Sequence, residues 1–246
     1  MGQFGIGQAV RRKEDVRFIT GTGRFTDDIG LSEQAHIYFL RSPHAHAEVK
    51  RIEAGAARRA PGVLGIFTAA EVAGLGSIKC AAPPLIKNRD GSDYFNPGRT
   101  QLAADRVRHV GDPVAMVVAE SLAAAKDAAE LIEVDYVPLP AVTDPLDAIK
   151  PGAPQLWHGA RNNIALDWEL GDRKAVEAAF AKAARVVAID LDINRIVVNS
   201  IEARGVVAEY DAAAGRYTVY LGTQGVFGAR RNIAKALKVG EDKVRV

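Results

Sequence analysis

The stretch that most constrains the fold is 113–138. Pro113-Val114-Ala115-Met116-Val117-Val118-Ala119 is a run without a single charge, the pattern of a strand buried on both faces. Ser121 then stands where a helix N-cap belongs. Leu122, Ala125, Ala129 and Ile132 recur at helical spacing, with Lys126 and Glu130 paired at i,i+4 outside that stripe. A short strand over 133–138 follows. A buried strand, a short helix and a second strand in immediate succession predict an α+β unit with the helix laid on the sheet.

The upstream sequence supplies further strands for that unit. An apolar run over 35–40 should end at Arg41-Ser42-Pro43, because proline cannot donate to a ladder. Residues 49–52 read as a second strand, 54–60 as one or two turns of alanine-rich helix, Pro61-Gly62 as a turn and 63–67 as a third strand. Residues 36–140 are therefore expected to form one domain. Before it, 1–35 reads as an extended segment, with loop over 17–25 where Gly21 and Gly23 interrupt regular structure. Within it, 74–101 is a long irregular excursion carrying Pro83-Pro84, Asp90-Gly91 and Asn96-Pro97-Gly98. Such segments either run over the surface or touch a ligand or partner, and the surface reading is preferred here.

Five prolines (Pro138, Pro140, Pro145, Pro151, Pro154) then crowd a short stretch, so 141–165 is expected to be a linker. Beyond it, 166–246 shows a second pattern. Asp172 is placed to cap a helix whose apolar stripe is Val176, Phe180 and Ala183. Ile189, Leu191 and Ile193 alternate with Asp190 and Asp192 as in a half-buried strand. Residues 206–210 and 217–221 flank Ala214-Gly215 as a hairpin, and 226–237 is an amphipathic helix closed by Gly240. Lys243-Val244-Arg245-Val246 opens like a strand, and the expectation is that the sequence is truncated there.

Composition removes several classes. Hydrophobic content of 48% and charged content of 25% are those of a folded globular chain. The net charge is +2 with basic residues dispersed, so no nucleic-acid face is expected. The single cysteine, Cys80, cannot make a disulfide framework or hold an iron–sulfur cluster, which takes about four thiolates. No window approaches the roughly 18 apolar residues of a membrane span, and Met1-Gly2-Gln3-Phe4-Gly5-Ile6-Gly7 lacks a signal peptide's charged start and apolar block. The cytoplasm is the expected location.

Local motifs carry little chemistry. His44-Ala45-His46 could point two rings to one face of a strand, but two ligands do not make a metal site, and a structural role after Pro43 is preferred. His109 and His158 carry no signal, and Asp27-Asp28 reads as a solvated turn. Gly5-Ile6-Gly7 has no preceding strand, and Gly21-Thr22-Gly23 lacks a third glycine and a following helix, so neither is a dinucleotide fingerprint.

Several phrases resemble, in order, the large subunit of molybdenum hydroxylases, the family of xanthine dehydrogenase, aldehyde oxidase and CO dehydrogenase. They are Arg12-Lys13-Glu14-Asp15 with Arg17-Phe18-Ile19-Thr20-Gly21, then Phe25-Thr26-Asp27-Asp28-Ile29, Arg41-Ser42-Pro43-His44-Ala45-His46-Ala47, Pro61-Gly62-Val63 and Val110-Gly111-Asp112-Pro113-Val114-Ala115. Asn199-Ser200-Ile201-Glu202-Ala203-Arg204-Gly205, Glu209-Tyr210-Asp211 and Thr223-Gln224 continue the likeness. Ala203 departs from it, standing where the family has proline.

The resemblance implies an α/β hammerhead domain followed by the start of a molybdopterin-binding α+β domain. It implies one cofactor-binding residue, Gln224, whose amide would face an oxygen on molybdenum without ligating the metal. From the residues alone, the preferred reading of Gln224 is a cap for the helix that begins near Val226; the resemblance favours the role beside the cofactor. Glu202 and Arg204 are expected to be structural. No catalytic residue and no direct metal ligand is expected in this chain, because the family's glycine-rich loop and general-base glutamate have no counterpart in it. The implied parent is a molybdenum-dependent oxidoreductase that hydroxylates an aldehyde, an N-heterocycle or a similar small substrate with water as oxygen source. Its cofactor would be molybdopterin, in the cytosine dinucleotide form. Iron–sulfur (2Fe-2S) and FAD subunits would be the partners, in a dimer of heterotrimers, and the chain alone would be inactive. A non-catalytic assembly module and one half of a split enzyme are the alternatives.

Overall fold

The computed structural model describes residues 7, 11–80, 86–193 and 196–246. Gly5-Ile6 and Pro83-Pro84 lie outside the described residues. The chain divides into two units, one of Met1–Glu33, Val198–Arg231 and Gly240–Val246, the other of Gln34–Val197 and Asn232–Val239.

In the larger unit, the strands are β1 (His36–Arg41), β2 (Ala47–Glu53), β3 (Val63–Phe67), β4 (Arg106–Val107), β5 (Pro113–Ala119) and β6 (Glu133–Pro138). The charge-free run is β5, and it lies at the centre of an antiparallel sheet ordered β1-β5-β3. Ala119 aligns with His36 on one side and Val63 on the other. Helix α1 (Leu122–Glu130) packs against β5, its N-terminus capped by the Ser121 hydroxyl, which accepts the Ala124 N–H at 3.1 Å. Ala125, Ala128 and Ala129 meet Ala115, Val117, Ala119 and Ile66 in a single core. Methyl-sized side chains on both surfaces let the helix approach closely. The expected stripe is turned slightly: Ala128 is buried, whereas Leu122 is 45% exposed.

A second antiparallel sheet runs β4-β2-β6, with a register shift between Val49 and Arg51. Val114 of β5 packs with Ala47 and Val107 of this sheet. The strand β4 has no counterpart in the sequence reading, because two residues are too short to show a period. The alanine-rich segment after β2 is a single 3-10 turn, Ala57–Arg59. Arg58 bridges its end to the Ile66 carbonyl (2.9 Å) and to Glu71 (2.9 Å). The Thr68 hydroxyl and N–H donate to the same Glu71 carboxylate at 2.6 and 2.7 Å, and with Arg58 they hold its pKa down at about 2.

The proline-rich stretch contains the one-turn helix α2 (Pro145–Ala148), capped by Asp144. Asn163 gathers its end: its side-chain N–H groups reach the Ala148 and Pro154 carbonyls at 2.9 Å, and its oxygen accepts the Leu156 N–H at 3.0 Å. The Arg108 guanidinium stacks over the Trp157 ring at 3.9 Å. Helix α3 (Arg173–Lys182) is capped by Asp172 as expected, but Val176 and Phe180 on its stripe are exposed. The strand expected over Ile189, Leu191 and Ile193 does not form: those residues have no ladder partner among the described residues and lie exposed. Alternation supplies a face for burial, but a strand exists only when a neighbour satisfies its backbone.

In the smaller unit, a short helix, Asp15–Ile19, replaces part of the expected loop. Threonine hydroxyls account for it: Thr20 donates to the Val16 carbonyl at 2.7 Å and Thr22 to the Arg17 carbonyl at 3.0 Å. The hairpin is β7 (Val206–Asp211) with β8 (Arg216–Leu221), turned by the Asp211 carboxylate, which accepts the Ala213 and Ala214 N–H groups. β9 (Val244–Arg245) runs parallel to β8. Helix α4 (Val226–Leu237) begins in this unit and ends in the other. Its stop is not Gly240, whose backbone is extended, but Lys238 at φ +56. The Val239 N–H reaches the Ala234 carbonyl at 3.0 Å, the long bond of a left-handed helix ending.

Two measurements check this arrangement. Ile66→Ala, at a fully buried site, is expected to cost about 2–5 kcal/mol in chemical denaturation, whereas Leu64→Ala, at the exposed position where the register shifts between Val63 and Gly65, changes stability by less than about 0.5 kcal/mol. Glu71→Gln is expected to cost about 0.5–1 kcal/mol near neutral pH, the moderate figure reflecting partial exposure. Because the folded pKa is depressed, the carboxylate's contribution is complete above the ordinary value of 4.5 and fades as pH falls toward about 2. The difference between the variant and the parent should shrink over that window.

Candidate functional site

The segment that leaves β8 and enters α4 is Gly222-Thr223-Gln224-Gly225. The Thr223 hydroxyl accepts the Gly225 N–H at 3.2 Å, and the Gly225 carbonyl accepts the Ala229 N–H at 3.1 Å, opening the helix. Thr223 and Gly225 thus fix the turn between them and leave Gln224 exposed. No hydrogen bond from the Gln224 side chain to the helix occurs among the described residues, so the capping reading has no support. Thr223 and Gly225 shape the turn on either side of Gln224, a local contact the sequence reading did not assign, although a Thr-x-Gly before an amphipathic helix is a recognisable turn signal.

Behind this turn, Glu202 lies beside Gly222: a methyl group added at Gly222 would sit 3.8 Å from its carboxylate. The same carboxylate accepts both the N–H and the hydroxyl of Thr26 at 3.3 Å. Thr26 is buried, and Gly205 packs against it so closely that a Cβ there would stand 3.2 Å from the threonine methyl. Glu202 therefore ties its own segment to Thr26 of the N-terminal segment through hydrogen bonds. Arg204 is exposed. Further along, Arg230 and Arg231 both reach Glu241, beside a cavity of about 320 Å³ that Arg216, Phe227 and Arg245 also line.

The larger unit holds a wider cleft of about 1040 Å³ where 88–97 meets 159–173. Here the long excursion is pinned down: Arg89 and Phe95 donate backbone N–H groups to the Asp167 and Ala165 carbonyls at 2.8 Å. The Arg89 guanidinium pairs with Asp167 at 2.7 Å and with Glu169 at 3.5 Å, and those carboxylates push its pKa up. The cleft is thus a charge-paired joint between two loops.

The histidine pair has a structural role. His46 is buried and its Nδ1 lies 2.8 Å from the Pro140 carbonyl, which can only accept, so Nδ1 carries the proton. His44 packs edge-on against Tyr136, whose pKa burial pushes up. No cluster of three or more His, Cys, Asp or Glu residues suited to a metal occurs among the described residues. Cys80 is exposed. No helix among the described residues is long and apolar enough to cross a membrane.

Comparison with known proteins assigns both halves of the chain. Residues 20–140 match the aldehyde oxidase and xanthine dehydrogenase a/b hammerhead domain, and residues 157–246 match the molybdopterin cofactor-binding domain. The chain belongs to the molybdenum hydroxylase large-subunit family. It is 37% identical to the 6-hydroxypseudooxynicotine dehydrogenase complex subunit gamma of Paenarthrobacter nicotinovorans, covering 99% of this chain and 30% of that one. It is 34% identical to the carbon monoxide dehydrogenase large chain of Afipia carboxidovorans, covering 98% and 30%. The crystal structure of quinoline 2-oxidoreductase from Pseudomonas putida 86 superposes with a TM-score of 0.81 at 32% identity, covering 97% and 29%. The chain thus spans about 30% of the length of these molybdenum hydroxylase relatives, and it carries the hammerhead fold and the opening of the cofactor-binding domain.

Glu202→Ala is expected to destabilise the chain by about 1–2 kcal/mol by stranding the buried Thr26 donors, whereas Glu202→Gln, which keeps an acceptor oxygen, should restore most of that loss in thermal denaturation.

Proposed function

We propose that this chain forms the N-terminal part of the cofactor-binding subunit of a molybdenum hydroxylase acting on an aldehyde, an N-heterocycle or a similar small molecule. The observation that carries the reading is the exposed carboxamide of Gln224, set between Thr223 and Gly225 inside the stretch matched to the molybdopterin cofactor-binding domain. A neutral amide suits such a cofactor: it donates to an oxygen without adding charge and without competing as a strong ligand. The cofactor, proposed here in its cytosine dinucleotide form, would supply two-electron oxidation coupled to incorporation of a water-derived oxygen.

This chain's own contribution is positional. Thr223 accepts the Gly225 N–H and sets the turn on which the Gln224 carboxamide stands exposed, and Glu202 ties its segment to Thr26. Neither residue moves a proton in the reaction. 2Fe-2S and FAD subunits would carry the electrons away, since Cys80 alone cannot hold a cluster. The assembled enzyme is a cytoplasmic dimer of heterotrimers. The chain by itself does not turn over substrate, because most of the subunit length of its relatives lies outside the region it matches.

The test is Gln224→Ala in the assembled enzyme. Turnover is expected to fall about 10- to 100-fold with molybdenum content, measured by elemental analysis, within error of the parent. Unchanged turnover would overturn the role of Gln224. The isolated chain is expected to hold no molybdenum and to show no activity.

A further inference from the structure

The last turns of α4, within residues 232–239, belong to the larger unit and end on the base of the 74–101 excursion. An α-helix leaves its final carbonyls without donors of its own. In α4 the Ala234 carbonyl accepts the Val239 N–H at 3.0 Å and the Lys235 carbonyl the Lys238 N–H at 3.3 Å, both from the helix's own exit. The Ala236 carbonyl instead accepts the Gly76 N–H at 2.7 Å. The Gly76 carbonyl in turn accepts a side-chain N–H of Gln101 at 2.6 Å. The backbone of Gly76 is not left-handed, so its conformation does not call for glycine. What excludes a side chain is the helix: a Cβ at Gly76 would stand 2.6 Å from the Lys235 carbonyl oxygen, a backbone atom with no rotamer in which to yield.

Gln101 is anchored in its turn. Leu102 beside it is buried, and Ala103 donates its N–H to the Pro113 carbonyl at 2.8 Å, at the start of β5. A continuous set of contacts therefore runs from the central strand of the hammerhead sheet through Gln101 and Gly76 to the end of α4.

We propose that Gly76 is a positioning residue for Gln224: by fixing the C-terminal end of α4, it sets where the turn at the other end of the same helix holds its carboxamide. This rests on the reading that Gln224 faces the cofactor. Helix α4 is a single element of 12 residues, roughly 18 Å long at about 1.5 Å per residue, and it begins two residues after Gln224. A stiff rod carries a shift or tilt of one end to the other, and misplacement by about 1 Å is enough to slow a reaction about a hundredfold. The Thr223–Gly225 bond shapes the turn, whereas the helix places it.

The experiment compares Gly76→Ala with Gly74→Ala in the assembled enzyme. Gly74 lies in the same loop with open space where its Cβ would be. Gly76→Ala is expected to lower turnover about tenfold or more at unchanged molybdenum content, and to speed hydrogen–deuterium exchange of the 238 and 239 amides about tenfold. Gly74→Ala should change none of these. The double variant Gly76→Ala/Gln224→Ala should be no slower than Gln224→Ala alone, because both substitutions act through one amide. Losses that multiply would overturn the proposal, as would unchanged exchange at 238 and 239. Faster exchange with parental turnover would overturn it too, while leaving the role of Gln224 standing. Parental turnover in Gln224→Ala itself would overturn that role and this proposal together. Should Gly76→Ala fail to assemble, Gln101→Leu removes the donor to the Gly76 carbonyl without crowding the helix. It is expected to lower turnover about threefold, an effect that disappears when combined with Gln224→Ala, and parental turnover in Gln101→Leu would overturn the proposal.

Discussion

The hammerhead unit depends on the pairing of β5 with strands on both of its sides. A strand with hydrogen-bonding neighbours on each edge and a helix on one face has no exposed backbone, which is why Val114, Ala115, Val117 and Ala119 can all be buried to the last atom. The cost is chain closure over long loops, from 36 to 119 on one edge. Alanine offsets it by permitting close packing: Ala125, Ala128 and Ala129 allow the helix to lie against the sheet, and Val114 reaches past it into the second sheet. Everything that hangs from this unit, including the pinned excursion around Arg89 and the Asn163 knot, inherits its position.

A different logic governs the cofactor-binding half. There the organising contacts are polar: a carboxylate receiving two donors from a buried threonine 176 residues away, a hydroxyl fixing one N–H, and a short parallel strand at the margin of a hairpin. Apolar burial is sparse, with Val219 and Val244 the buried residues of its strands.

Much of the architecture was legible from residue patterns, because burial leaves a period. The charge-free run of β5, the Ser121 cap, the hairpin around Gly215 and the Asp172 cap each follow from chemistry local to a few residues. What failed were features decided by neighbours. Alternation at Ile189, Leu191 and Ile193 announces a strand, but the ladder needs another chain segment. Lys238 takes the left-handed position expected nearer Gly240, because the helix ends where its carbonyls find donors and not where glycine happens to stand. The Thr26–Glu202 brace joins residues far apart in sequence and leaves no local trace. As for the site, Gln224 was visible as a residue, but the role proposed for it came from likeness to a family; geometry adds that it stands exposed on a turn fixed by the Thr223–Gly225 hydrogen bond.

The most direct test of the account is the structure of the assembled subunit with its cofactor bound. The Gln224 amide nitrogen should lie within hydrogen-bonding reach, about 2.7–3.2 Å, of an oxygen of the molybdenum cofactor, with the Thr223–Gly225 contact intact. A Gln224 side chain turned back onto its own helix, or a cofactor seated well beyond that reach, would contradict it.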